Sequence, residues 1–159
     1  MIITCIVAIS SNYGIGKNNQ LLWDLPNDSK HFIDIISGNT IVMGRKLDSI
    51  KKPIANCRNI IITRQAIEIE GCEVVSSLEA AIALCSDEQE VFIVGGAEIY
   101  RQAMHICNRI YLTIVHHAFE ADTFFPKIDY NEWQQTAIED HEIDEKHAFA
   151  YSFITLERA

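Results

Sequence analysis

Apolar residues fall into short, nearly continuous runs separated by polar turns. Eight segments read as strands: Ile2–Ile9, Thr40–Gly44, Asn59–Thr63, Glu73–Ser76, Val91–Gly95, Arg109–His116, Trp133–His141 and Ala150–Glu157. The early ones are unbroken and rich in β-branched residues, the pattern of strands buried on both faces of a parallel sheet. The last two alternate more, with the polar tract Glu139–His147 read as a hairpin loop, so antiparallel pairing is expected at one edge. Helical patterns lie between the early strands. Pro26–Ile36 carries proline in its first turn, Ser76-Ser77-Leu78-Glu79 has the Ser-x-x-Glu form of a capping box ahead of Ala80–Cys85, and Ala97–Met104 follows a glycine pair. This alternation, with no repeat or linker, predicts one α/β domain over residues 1–159.

Asp28 breaks the helical pattern. It shares a face with Phe32, Ile35 and Ile36, at spacings i, i+4, i+7 and i+8. An acid in a first turn can simply complement the helix dipole. One lying on the apolar stripe also needs a hydrogen-bond donor or a cation. With no basic residue read on that face, a ligand is a candidate partner.

Charge adds a second clue. The net charge of −9 argues against general nucleic-acid affinity. Yet six of the 13 Lys and Arg residues lie between positions 45 and 64: Arg45, Lys46, Lys51, Lys52, Arg58 and Arg64. Such an island suits an anionic small molecule, or is a solvated loop. The five cysteines form no C-x-x-C pair, so neither a disulfide framework nor a zinc site is expected, and reduced thiols in a cytoplasm fit best. The largely apolar first ten residues are too short to span a bilayer and lack a basic leader, so no membrane partner is expected. His141-Glu142, His147 and His116-His117 do not have metal-binding spacing.

In open α/β sheets, ligands bind beyond the carboxyl ends of the strands. Four such ends carry suggestive residues: the long loop Ser10–Leu22, Met43-Gly44-Arg45-Lys46, Thr63-Arg64, and Val94-Gly95-Gly96-Ala97-Glu98-Ile99-Tyr100. Bare glycine backbone and free N–H groups at a helix start favour phosphate. Gly16-Lys17 lacks the spacing of a P-loop.

Taken in order, these pieces resemble the bacterial dihydrofolate reductases along essentially the whole chain. The resemblance rests on Ile6-Val7-Ala8, Gly14-Ile15-Gly16, Leu22-Trp23-Asp24-Leu25-Pro26-Asn27-Asp28 with Phe32, and Val42-Met43-Gly44-Arg45. It continues through Asn59-Ile60-Ile61-Ile62-Thr63, Val94 to Tyr100, Tyr111-Leu112-Thr113, and Asp122 with Phe125-Pro126. It implies an eight-stranded, mostly parallel sheet with an antiparallel C-terminal edge strand and about four flanking helices. It also implies a monomeric enzyme that uses NADPH to reduce dihydrofolate to tetrahydrofolate.

The resemblance implies residue roles as well. Asp28 would bind the pterin edge, with Trp23 and Thr113 orienting it or holding water. Ile6, Val7, Phe32, Ile50, Ile54 and Tyr100 would line the substrate cleft, with Lys52 and Arg58 near its acidic tail. Ala8, Ile15, Gly16, Asn19, Gln20, Leu21, Gly44, Lys46, Val94, Gly95, Gly96, Ala97, Glu98, Ile99 and Tyr100 would frame the cofactor. Arg45, Thr63 and Arg64 would meet its 2′-phosphate, and the Gly95-Gly96 bond would be cis.

The chain departs from the pattern in places. One residue is missing after Lys46, where a pyrophosphate-binding threonine is usual. Cys57 replaces the arginine that clamps the folate α-carboxylate, so Arg58 or Lys52 would have to substitute for it, and the expectation is that Arg58 has taken over that role. Two rivals stay open. One is a reductase of a tail-less pterin or a flavin-pathway pyrimidine; the other is a cofactor- or folate-binding protein with impaired turnover.

Overall fold

The computed structural model describes residues 1–18, 20–44 and 53–159. Among the described residues, ten strands and three α-helices follow in order. They are β1 (Ile2–Ser10), β2 (Gly14–Gly16), α1 (Pro26–Ile36), β3 (Thr40–Gly44), β4 (Arg58–Ile62), β5 (Cys72–Val75) and α2 (Leu78–Leu84). After these come β6 (Glu90–Ile93), α3 (Ala97–Ala103), β7 (Arg109–Val115), β8 (Thr123–Phe124), β9 (Trp133–His141) and β10 (Tyr151–Arg158). All eight expected strands form, each within two residues of its expected bounds, and α1 has the expected ends.

Eight strands make one sheet in the order β5-β4-β3-β6-β1-β7-β10-β9. Pairing is parallel from β5 to β7, whereas β10 runs antiparallel to both β7 and β9. The reversed strand therefore lies one in from the edge that β9 forms.

Alternation along β1 divides the core. Cys5, Val7 and Ile9 pack on one face with Ile99, Tyr100 and Phe125. Ile6 turns to the opposite face, among Ile36, Ile41, Met43, Phe92 and Val94, with Phe32, Ile54 and Cys57 at the margin.

Two local expectations change. The cap of α2 is Ser77, whose side chain accepts from the Ala80 N–H, so the helix starts two residues before the expected Ala80 and Glu79 closes no box with Ser76. The loop Ser10–Leu22 contains β2, which pairs with β8 in a two-stranded ribbon. A three-residue strand holding two glycines carries no readable alternation.

The start of α1 is braced from across the chain. Its N-cap, Leu25, has no capping side chain. Pro26 has no N–H to satisfy, and the Asn27 N–H donates to His147 Nε2 at 3.1 Å. Asn27 Nδ2 also donates to the Tyr151 hydroxyl at 2.9 Å. The loop before β10 thereby fixes the turn that carries Asp28.

Candidate active site

Register brings Ala8 of β1, Thr113 of β7, Phe153 of β10 and Glu139 of β9 into one row across the sheet. Residues in such a row point to the same face. Above it lies α1. The Thr113 hydroxyl, itself buried, donates to Asp28 Oδ1 at 2.8 Å. Trp23, 9 % exposed, also faces this carboxylate and packs with Leu25, Val115 and Tyr151. Asp28, Trp23 and Thr113 thus come together as expected.

Burial pushes the Asp28 carboxyl above the usual aspartate range, opposed by the Thr113 hydrogen bond, the charge of His31 and the Trp23 indole. His31 corrects the reading that no basic residue shares this helix face. It sits at i+3 from Asp28, stacked on Phe153 with ring centroids 3.8 Å apart. That spacing was the available signal. Burial lowers the His31 pKa, so near neutrality the imidazole adds little charge.

Beside Asp28 runs an apolar wall made by Ile6, Phe32, Ile54 and Val94. The side chain of Val7 does not join it, because strand alternation turns Val7 to the other face with Tyr100. Tyr100 is buried and donates its hydroxyl to the Ile6 carbonyl at 2.7 Å, beneath the glycine turn. Burial raises the Tyr100 pKa well above its ordinary value, so it acts as a neutral donor.

The Gly95-Gly96 peptide is cis. Gly95 has φ +110°, and a Cβ there would meet the Tyr100 ring at 3.0 Å. The Gly44 N–H donates to the Gly95 carbonyl at 2.8 Å, and a Cβ on Gly44 would meet Ile99 at 3.0 Å. The positive φ and the Tyr100 ring therefore favour glycine at position 95, while a side chain at position 44 would require Ile99 to shift. A Cβ on Gly96 would meet nothing within 4 Å. The turn thus presents bare backbone beside open space. Ala97 begins α3, and Glu98 in its first turn is engaged by Arg101 and Gln102.

Further along the strand ends, Thr63, Arg64, Gln65, Val75 and Ser76 line an open groove of about 710 Å³. At the other side, the β2–β8 ribbon carries Ile15 and Gly16. The Asp122 N–H donates to the Gly16 carbonyl at 3.0 Å, and Asp122 Oδ2 accepts from the Asn18 N–H at 2.9 Å. Gln20 bridges back to Lys17, and Leu21 is exposed. Asn19, Arg45, Lys46, Ile50 and Lys52 lie outside the described residues.

The structure overturns the expectation for Arg58. Its guanidinium donates to Glu73 through Nε at 2.5 Å and through a second nitrogen at 2.8 Å, and to Glu88 at 3.1 Å. Cys57, one residue earlier, donates its thiol to the Ile36 carbonyl at 3.3 Å. Successive extended residues face opposite sides, so Cys57 meets the end of α1 while Arg58 is turned across the sheet.

The eight-stranded sheet of this α/β protein thus carries a half-buried carboxylate on one side of β1 and a bare glycine turn on the other, both at the carboxyl ends of its parallel strands. The model of the dihydrofolate reductase family matches residues 2–158. The dihydrofolate reductase of Bacillus subtilis is 41 % identical over 158 residues, covering 98 % of this chain and 94 % of the relative. That of Staphylococcus haemolyticus is 39 % identical, covering 98 % and 95 %. The solved dihydrofolate reductase of Enterococcus faecalis, complexed with NADP(H) and RAB-propyl, has a TM-score of 0.92 at 33 % identity and covers 99 % of this chain and 96 % of that one. The chain belongs to the dihydrofolate reductase family.

Proposed function

We propose that the protein reduces dihydrofolate to tetrahydrofolate with NADPH, through a cleft centred on Asp28. One observation carries this reading: a half-buried carboxylate held by Thr113, with the Ile6–Phe32–Ile54 wall beside it and the bare Gly95-Gly96 turn across β1. The donors of a pterin's N3 and 2-amino edge match the two oxygens of an ionised Asp28. Thr113 fixes one oxygen, and Trp23 closes the other side. Pterin and aminobenzoyl rings fit the apolar wall, to which Ile50 is proposed to add.

The residues present also fit the cofactor. Gly95-Gly96 offers a bare backbone surface with open space above Gly96, and Ala8, Val94 and Ala97 are proposed to frame the nicotinamide there. The groove at Thr63 and Arg64 offers a hydroxyl and a guanidinium to a phosphate, with Arg45 proposed beside them. When bound, NADPH supplies the hydride that reaches C6 of the substrate. Asp28 binds the pterin and raises its proton affinity, and N5 takes its proton from water. Ile15, Gly16, Asn19, Gln20 and Leu21 would cover the nicotinamide, and Gly44 and Lys46 the pyrophosphate.

All five cysteines are free, consistent with a reducing cytoplasm, and no helix among the described residues is long and apolar enough to cross a membrane. We infer one domain over residues 1–159, acting as a monomer.

The test follows NADPH absorbance after dihydrofolate is added. Wild type should oxidise NADPH, while Asp28→Asn should lose about a hundredfold or more in turnover and still bind NADPH. A wild-type protein that binds both ligands without oxidising NADPH would sink the reading.

A further inference from the structure

Asp28 is held twice, once by its side chain and once through its backbone. Thr113 of β7 donates to the carboxylate from the sheet. The second hold acts one residue earlier. In the first turn of α1 the Asp28 and Ser29 N–H groups both donate to the Leu25 carbonyl, at 3.0 and 3.2 Å. Pro26 has no N–H, which leaves that of Asn27, and it donates to His147 Nε2 at 3.1 Å.

These hydrogen bonds fix the state of the imidazole. A ring nitrogen that accepts an N–H presents a lone pair, so Nε2 carries no proton. Nδ1 lies 2.7 Å from Asp144 Oδ1. The Asp144 carboxyl is held below the ordinary aspartate range, first by this bond and then by the Lys146 N–H. An ionised carboxylate only accepts, so Nδ1 bears the proton and the ring is neutral. The contact with Asp144 is thus a tautomer lock rather than an ion pair. The ring is buried, 2 % exposed, and its backbone exchanges hydrogen bonds with that of Asp144 at 3.1 and 3.3 Å. Tyr151 of β10 backs the ring with centroids 5.3 Å apart, and its hydroxyl accepts from Asn27 Nδ2 at 2.9 Å.

An acceptor placed this way sets direction more than stability. Asn27 is exposed, so water can satisfy its N–H if the ring is lost. Water would not hold the turn at one angle, however, and the Thr113 hydrogen bond weakens steeply as the carboxylate swings. We propose that His147 is a positioning residue: kept neutral by Asp144, it fixes the backbone ahead of Asp28 and aims that carboxylate at the pterin edge. The inference rests on the dihydrofolate reductase reading above. It assigns a part in substrate recognition to the loop before β10, which lies 120 positions from the helix that it braces.

The experiment measures the Kd of dihydrofolate and of NADPH in the full-length protein by tryptophan fluorescence. His147→Phe keeps a flat ring without an acceptor, and should weaken dihydrofolate by about three- to tenfold while changing NADPH by less than about twofold. His147→Gln, whose carboxamide oxygen can reach the place of Nε2, should recover most of the loss. In an Asp28→Asn background the step from His147 to Phe should shrink to less than about twofold, because its effect passes through that carboxylate. Asp144→Ala leaves the ring in place but frees its tautomer, and should weaken dihydrofolate by about two- to threefold. Equal losses in the phenylalanine and glutamine variants, or an undiminished loss beside Asp28→Asn, would overturn the inference. If neither His147 variant folds, an unchanged Kd in Asp144→Ala does so. A wild type that does not bind dihydrofolate removes the reductase reading and this inference with it, whereas equal tight binding in wild type and His147→Phe removes this inference alone.

Discussion

Carboxylates at the two ends of the sheet live under opposite rules. At the amino ends of the parallel strands, two arginines are each shared between two glutamates. Arg109 lies 3.1 Å from Glu90 and 3.3 Å from Glu157, and Arg58 lies 2.5 Å from Glu73 and 3.1 Å from Glu88. Thr4 and Thr40 add hydroxyl donors to Glu90 at 2.6 Å and to Glu88 at 2.7 Å. The Arg58 hydrogen bond holds the Glu73 carboxyl below its ordinary range; for Glu88 the Thr40 hydroxyl leads and Arg58 adds to it. At the carboxyl ends, Asp28 has neutral donors and a largely uncharged imidazole, and burial drives its carboxyl upward. The first set is neutralised within the protein and belongs to the fold. The second is left for something outside it.

Substitutions at the two ends should separate stability from turnover. Asp28→Asn should cost about a hundredfold or more in turnover yet raise the melting temperature at neutral pH. The folded pKa of Asp28 lies above its unfolded value, so its stabilising contribution is fully present below the unfolded pKa and is lost as pH rises through the folded one. Near neutrality the ionised group is therefore a cost that asparagine removes. The gain in melting temperature should disappear at acid pH, and a lower melting temperature at neutral pH would make Asp28 a structural residue.

Arg109→Ala should do the reverse. Leaving Glu90 and Glu157 without their shared guanidinium should destabilise the fold by about 1–3 kcal/mol, read from denaturant midpoints. Turnover per folded molecule should change little, because Arg109 lies at the other end of the strands from Asp28. A variant that stays stable but loses turnover would dissolve the contrast between the two ends.

Much of this division was legible in the sequence. The unbroken apolar runs located every strand of the main sheet, and Pro26 with the Asp28–Phe32–Ile36 stripe marked α1. The order of motifs pointed to Asp28, Trp23 and Thr113 together. What escaped depended on facing. Arg58 follows Cys57 at the entry to a strand, so alternation alone already sends one of them away from the cleft, and the same rule removes the Val7 side chain from the wall beside Ile6. His31 was readable from its i+3 spacing to Asp28. The bracing of Asn27 by His147 was not, because 120 positions separate them and only the folded hairpin brings them together.

A smaller effect should come from the donor that holds Asp28. Thr113→Val keeps the shape and β-branching of the side chain but removes the hydroxyl at 2.8 Å. Losing one such hydrogen bond should lower kcat/KM for dihydrofolate by about tenfold, and Thr113→Ser should recover most of it. Because that bond also lowers the Asp28 pKa, the valine variant should lose substrate binding at a higher pH than wild type. Equal activity in the valine and serine variants would show that the hydroxyl contributes nothing beyond packing.

The smallest effect should belong to His31, and it should be confined to acid pH. The imidazole lies against Phe153 of β10, with Asp28 and Asp34 on its own helix and Glu139 and His141 on β9 acting on it electrostatically. Burial lowers its pKa against the pull of the three acids, so it gains charge only as the pH falls. That positive charge then opposes protonation of Asp28, whose own carboxyl has been raised toward the same range. An ionised Asp28 accepts both donors of the pterin edge, whereas a protonated one accepts fewer, so binding declines as the pH falls through the Asp28 pKa. With His31→Gln the opposing charge is gone, and the carboxylate takes up its proton at higher pH. The acid limb of kcat/KM should therefore move upward in His31→Gln, with the difference from wild type shrinking toward neutral pH. An acid limb that stays in place while the melting temperature falls would leave His31 as a packing residue on Phe153, and Asp28 as a carboxylate governed by burial and Thr113 alone.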